Sequence, residues 1–268
     1  NESFKRWMIF TKTAKKIFNT FDLCLSSSFE TKKMLENLIE KNLFFKGNLK
    51  LINQINKSSI TNINEKFLLK NKFWIAASTH EEEESFCLKV HSKLKMKIDK
   101  IVTIIAPRHI DRSLKIKSLA EKRKLKVQIL NKGDLITKNK EIIIINSFGT
   151  LNDFFKYAKS TFIGKSIIKK LINDSGQNPI DAAKLNCKIY HGPYVKNFEE
   201  IYEILRKKNI SKKIESVDQL SNYLLHDLES QALNSNRFFE IMNDLGQKTL
   251  SDTMQHINNF ISNDHKKT

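Results

Sequence analysis

Proline, glycine and cysteine are all scarce in this chain: 3, 7 and 3 among 268 residues. Cys24, Cys87 and Cys187 are odd in number, lie far apart and form no Cys-x-x-Cys pair. Neither a disulfide framework nor a zinc site is indicated, and a reducing compartment fits. No run approaches the about 18 consecutive apolar residues that suggest a membrane-spanning helix. Gly-x-Gly-x-x-Gly and P-loop sequences are also missing, which argues against a dinucleotide dehydrogenase or an NTPase.

What the chain does have is positive charge, 47 Lys and Arg against 29 Asp and Glu, for a formal balance of +18. Such a balance favours anionic membrane, nucleic acid or a charged substrate as partner. The lysines are spread along the whole length, so a solvated basic surface is the default reading. The aromatics sit in apolar runs, not between lysines on strands, and no nucleic-acid recognition motif occurs, so no nucleic-acid partner is expected.

Apolar periodicity predicts a helix over 4–18, a short strand within 21–28, a helix over 30–39 and a strand at 43–45, the end of one α/β unit. Residues 51–70, rich in Asn, Lys and Ser, read as a linker with a short helix. From Phe73 the pattern is α/β throughout. Short apolar runs at 73–78, 101–106, 127–130, 142–145, 161–164 and 188–190 alternate with amphipathic stretches at 81–97, 112–124, 149–158, 179–185 and 197–208. That alternation predicts a parallel sheet covered by helices on both faces, with ligands beyond the carboxyl ends of the strands. Val217–Leu228 reads as a further helix. Residues 233–268 read as a helical extension carrying Leu233, Phe238, Phe239, Ile241 and Met242, with a polar tail from Asn263.

The scarce residues gather at the expected strand exits: Pro107, Gly149, Gly164, Gly176, Pro179, Gly192 and Pro193. After the first strand come Ser78, Thr79, His80 and four glutamates. Thr79 with Glu82 forms a capping box, and the acidic first turn suits the helix dipole, but His80 has no such explanation. After the second strand, Pro107-Arg108-His109 projects an arginine and a histidine from a rigid turn; Arg108 suits a forked pair with phosphate, or is a plain surface arginine. At the fourth strand, Ser147-Phe148-Gly149-Thr150 lets backbone approach a ligand, or is a simple turn. In Gln177-Asn178-Pro179-Ile180-Asp181, Asn178 reads as N-cap, Pro179 as first helical residue and Asp181 as third. The start of that helix favours an anion, or is an ordinary capped end.

Together these loops resemble a known pattern. Trp74 to His80, Ala106 to His109 with Arg112, Ser147-Phe148-Gly149, Asn178 to Asp181, and His191-Gly192-Pro193 with Asn197-Phe198 look like the donor domain of the 3-deoxy-D-manno-octulosonic acid (Kdo) transferases. Ser3 to Trp7 and Gly47 to Lys50 are similar to the end of the first domain of that family. The resemblance covers residues 1–230. It implies a GT-B glycosyltransferase, two Rossmann-like domains across a cleft, moving Kdo from CMP-Kdo to the lipid A precursor at the cytoplasmic face of the inner membrane. Expected partners are CMP-Kdo, the lipid A precursor and the anionic membrane surface; no cofactor or metal is expected. By this resemblance residues 1–50 end the acceptor domain and 71–232 bind the donor, with 51–70 between them as linker and 233–268 as a C-terminal helical extension.

Carried over residue by residue, Pro107 and Arg108 contact CMP, Phe148, Gly149 and Thr150 line its pocket, and Asn178, Pro179, Ile180 and Asp181 present the helix start. Ser78, Thr79, His80, His109, Ser147 and Gln177 are further donor-site candidates. Thr150 and Asp181 stand where the family usually has glutamate, and Lys165 where glycine is usual. The catalytic base of the family is a glutamate expected upstream of Asn1, so the chain reads as a fragment that transfers no sugar alone. Other open readings are a GT-B transferase or epimerase using another nucleotide, a nucleic-acid binder, and a peripheral membrane module.

Overall fold

The structure is a computed structural model and describes residues 2–56, 59–230 and 236–264. Leu233 and the last four residues of the expected tail lie outside the described residues. Packing divides the chain into two compact units, Asn1–Gln54 with Ile241–Thr268, and Ile55–Glu240.

In the first unit the expected single helix is two, α1 (Glu2–Ile9) and α2 (Thr11–Phe18), because Phe10 leaves the helical region with φ −113 and ψ 50. The strand expected within 21–28 contracts to β1 (Cys24–Leu25). Helix α3 (Phe29–Leu35) starts at Ser28, whose hydroxyl accepts from the Thr31 amide at 3.0 Å. β2 (Leu43–Phe44) pairs in parallel with β1. Ala14, Leu38 and Ile39 are buried at the centre of this unit.

The second unit begins at α4 (Glu65–Lys70), followed by β3 (Phe73–Thr79), α5 (Glu83–Lys95), β4 (Val102–Pro107), α6 (Ser113–Glu121), β5 (Val127–Leu130) and β6 (Ile142–Ile145). Then come α7 (Leu151–Phe155), β7 (Ser160–Ile163), α8 (Ile180–Lys184), β8 (Lys188–His191), α9 (Glu199–Lys207), β9 (Ser211–Lys213) and α10 (Val217–Glu229). All seven strands pair in parallel in the order β5-β6-β4-β3-β7-β8-β9. β9 is a strand the sequence did not signal: Ser211-Lys212-Lys213 has no apolar alternation and sits at the sheet edge, where lysines are at home.

Central strands buried on both faces must be apolar throughout, and β6, Ile-Ile-Ile-Ile, is buried at every residue, as are Phe73 to Ala77 of β3. Period-2 alternation sends Trp74, Ala76, Ile105, Ile142, Ile144, Phe162 and Tyr190 to one core, shared with Leu88 and Leu94 of α5, Ile116 of α6 and Leu220, Leu224 and Leu228 of α10. Ile75, Ile104, Ile143 and Ile189 point to the other face and are equally buried.

The expected linker does not hang free of this unit. Buried Asn64 donates to the Asp134 carbonyl at 3.0 Å and accepts from the Ile136 amide at 2.7 Å, and Asn62 donates to the Asp153 carbonyl at 3.0 Å. The last helix, α11 (Arg237–Asp264), belongs from Ile241 to the first unit, where His256 meets Phe44 edge-on at 4.3 Å.

Candidate functional site

Strand order sets the site. From β3 the chain builds one wing through β4, β5 and β6, then returns to β3's other side for β7, β8 and β9. Ligands of open parallel sheets sit at the carboxyl ends of the strands where that direction reverses, here beyond β4, β3 and β7. The exits of β6 and β8 and the start of α8 lie along the same edge.

The exit of β3 is held from below by a buried carboxylate. Glu83 accepts from the amides of His80 (3.0 Å), Lys165 (2.6 Å), Ser166 (2.8 Å) and Ile167 (3.2 Å). Burial pushes its carboxyl above the ordinary value, while the four amides favour the ionised form. Gly164 leaves room for this: a Cβ there would stand 2.6 Å from the Ser78 carbonyl and 2.7 Å from Glu83 Oε2. Lys165 adopts φ 55, the left-handed region that favours glycine. Its ammonium meets Asp174 at 2.6 Å, and Asp174 also accepts from Asn197 at 2.8 Å.

The capping box expected from Thr79 and Glu82 is not formed. Thr79 belongs to β3 with its hydroxyl buried and unpaired, and Glu82 is itself the helix cap, at φ 74 and without a side-chain capping bond. A bulge at Ser78, φ 53, shifts the strand register and moves the helix start to Glu83. Arg112 is likewise committed to the scaffold, forking onto buried Glu84 at 3.2 and 3.1 Å.

Arg108 follows Pro107, the buried last residue of β4, and donates its amide to the Thr79 carbonyl at 3.0 Å. Its side chain is exposed, and among the described residues no hydrogen bond or ion pair holds the guanidinium. Next to it the rings of His80 and His109 stand edge to face, 5.9 Å apart. His80 is half-buried and titrates at about 4: burial is the main cause, the Ser78 carbonyl opposes it, and the charges of Lys165, His109 and Arg108 lower it further. It is therefore neutral at pH 7, with Nδ1–H donating to the Ser78 carbonyl (3.1 Å) and Nε2 left as an acceptor. The rim here carries positive potential around one neutral ring.

At the β6 exit Phe148 is 69% exposed and Gly149 adopts φ 78 with open space where a Cβ would lie. The Ser147 and Thr150 hydroxyls bond each other at 2.8 Å across this turn, so Thr150 caps α7 by position but not through its side chain. At α8, Asn178 Oδ1 accepts from the Ile180 amide at 3.0 Å. The helix begins one residue later than the sequence reading, with Asp181 second in it. Pro179 and Ile180 are buried, Ile180 completely, so their side chains build the helix start without lining the open rim. Gln177 offers its carbonyl to the Tyr202 hydroxyl at 3.0 Å. Arg108, His109, Phe148 and Gly149 are thus the exposed members of the predicted set, and Glu83, which the sequence reading assigned to a helix dipole, underpins the loops beside them. Gly164 was its one sequence trace. Among the described residues no group of three His, Cys, Asp or Glu side chains is placed to hold a metal ion.

No protein-family model matches the chain. It is 27% identical over 272 residues to the 3-deoxy-D-manno-octulosonic acid transferase of Rickettsia bellii, covering 97% of this chain and 62% of that protein. To the transferase of the same name from Haemophilus influenzae it is 26% identical over 173 residues, covering 63% of this chain and 40% of the relative. The chain therefore spans about half the length of these relatives. Among solved structures it is similar to the C-terminal CMP-Kdo binding domain of WaaA from Acinetobacter baumannii, at 20% identity and a TM-score of 0.56, covering 77% of this chain and 99% of that one. This likeness shows a shared fold. The chain is thus similar in sequence to Kdo transferases, and its α/β architecture is of the GT-B kind.

Proposed function

We propose that this chain is the donor-holding part of a Kdo transferase, which in the complete protein moves Kdo from CMP-Kdo to the lipid A precursor at the cytoplasmic face of the inner membrane. The observation that carries the reading is Arg108: an exposed, unpartnered guanidinium at the exit of β4, beside a neutral histidine and at the reversal point of the sheet, in a chain similar to Kdo transferases nearly end to end.

The chemistry follows from charge. Breaking the bond between Kdo and CMP leaves negative charge on one phosphate, and a fixed guanidinium facing that phosphate stabilises the charge as it develops. Arg108 is suited to it because its planar fork matches two phosphate oxygens and, among the described residues, no carboxylate pairs with it. His80 Nε2, an acceptor at neutral pH, suits a sugar hydroxyl better than a phosphate. The exposed turn at Phe148 and Gly149 is assigned to the nucleoside side of the donor. Residues 1–50 are assigned to the acceptor-domain end, and the basic balance of +18 to an anionic leaflet, where each lysine close to the surface adds roughly 1 kcal/mol. Among the described residues no helix is long and apolar enough to cross a membrane.

Thermal unfolding in a panel of CMP, UDP and GDP tests the donor assignment. CMP at millimolar concentration is expected to raise the melting temperature and the diphosphates to leave it nearly unchanged. Stabilisation by UDP or GDP alone would transfer the chain to another sugar-nucleotide enzyme.

A further inference from the structure

A cavity of about 260 Å³ opens beside the β6 turn, walled by Leu130 and Ile145 at the ends of β5 and β6 and by Phe154 of α7. Most of its polar lining is already paired. Asn64 is spent on the Asp134 carbonyl and the Ile136 amide. Asn131 donates to Asp134 at 3.0 Å and accepts from Asn146 at 2.9 Å, and Ser147 and Thr150 satisfy each other.

Besides the exposed Thr61 hydroxyl, two charged groups on the lining are left over. Half-buried Asp153 and exposed Lys132 both line the cavity, and among the described residues neither side chain has a hydrogen bond or ion pair. Burial pushes the Asp153 carboxyl above its ordinary value and the nearby Lys132 charge pulls the other way, yet the two do not close on each other. A first-turn aspartate suits a helix dipole, but α7 has only five residues, so its dipole gives little reason to hold a half-buried carboxylate without a donor.

An anionic acceptor and a cationic donor bordering one apolar-walled space fit a flat ring that presents an amino group next to ring acceptors. Cytosine has that edge, an N4 amino donor beside N3 and O2, and a carboxylate is a natural acceptor for N4. Uracil carries a carbonyl oxygen where cytosine carries the amino group, and would set it against the carboxylate. We propose that this cavity is the base subsite of the donor pocket, in which Asp153 accepts from cytosine N4 and Lys132 donates to N3 or O2. The inference rests on the reading of the chain as a CMP-Kdo-binding unit and adds the residues that select the base.

Calorimetric titration of the full chain with CMP, UMP and GMP tests it. The wild type is expected to prefer CMP over UMP by about tenfold or more, the scale of one hydrogen bond to a charged group. Asp153→Asn, whose amide can face either base, should bring the two within about twofold, mainly by weakening CMP. Lys132→Met should weaken CMP without abolishing it, and serves as the test if the Asp153 variant does not fold. An unchanged CMP:UMP ratio in Asp153→Asn, or wild-type affinity for GMP equal to that for CMP, overturns the base subsite and leaves the donor reading standing. Absence of wild-type binding to all three overturns both.

Discussion

The two sides of the sheet's carboxyl edge are built in opposite ways. Around the exits of β3 and β7 the polar groups are buried and committed: Glu83 to four amides, Arg112 to Glu84, Lys165 to Asp174. Around the exits of β4 and β6 they are open: among the described residues the Arg108 guanidinium has no partner, Phe148 is exposed and Gly149 faces empty space. A guanidinium paired within the protein contributes to stability and has little left for a ligand; an unpaired one costs nothing while solvated and stays available. The contrast between Arg112 and Arg108, four residues apart, separates scaffold from candidate site more sharply than residue type does.

Acid should strain the buried histidines most. His191 and His91, both fully buried, titrate at about 4 instead of 6.5, lowered chiefly by burial. A depressed histidine contributes stability that is complete above the unfolded value and is lost as pH falls toward the folded one, because the unfolded chain takes up the proton first. Each step is worth on the order of 3 kcal/mol, offset in part by Glu83, whose raised carboxyl acts in the opposite sense. Denaturant melts between pH 7 and pH 4 should therefore lose stability steadily below about 6.5, and His191→Gln should flatten the slope. A flat profile in the wild type would mean that these imidazoles are solvated.

Next in size, Glu83→Ala should cost about 3–5 kcal/mol, since it strands four buried or half-buried amides at once. Glu83→Gln should cost less, because one oxygen still accepts. If Glu83→Ala melts like the wild type, the loop after β7 is held by something else. On the open side the corresponding change is small: without ligand, Arg108→Ala should shift the melting temperature by less than about 2 °C, as expected of an exposed side chain with no partner. A larger fall would place Arg108 with the scaffold.

The sheet was legible because its strands are buried on both faces and so read as continuous apolar runs; Ile142 to Ile145 leaves no other choice. β9 was not, since Ser-Lys-Lys at an edge buries nothing that would mark it. The break at Phe10 and the bulge at Ser78 were hidden for a related reason: both are single-residue backbone departures in a periodic pattern that runs on past them. At the site, Arg108 and Gly149 stood out as unusual residues at strand exits. Glu83 did not, because three of its four partners lie 82 to 84 residues further along the chain and it stands in a run of four glutamates whose dipole explanation fits all of them. Asp153 was masked in the same way by an ordinary helical first turn.

The most direct test of the central claim, that the open side of the edge holds a nucleotide monophosphate through Arg108, is a calorimetric titration of CMP into the wild type and into Arg108→Ala, with cytidine as the phosphate-free control. The wild type should bind CMP more tightly than cytidine, and Arg108→Ala should lose about tenfold or more for CMP while binding cytidine as before. Equal CMP affinity in the two proteins would contradict the assignment.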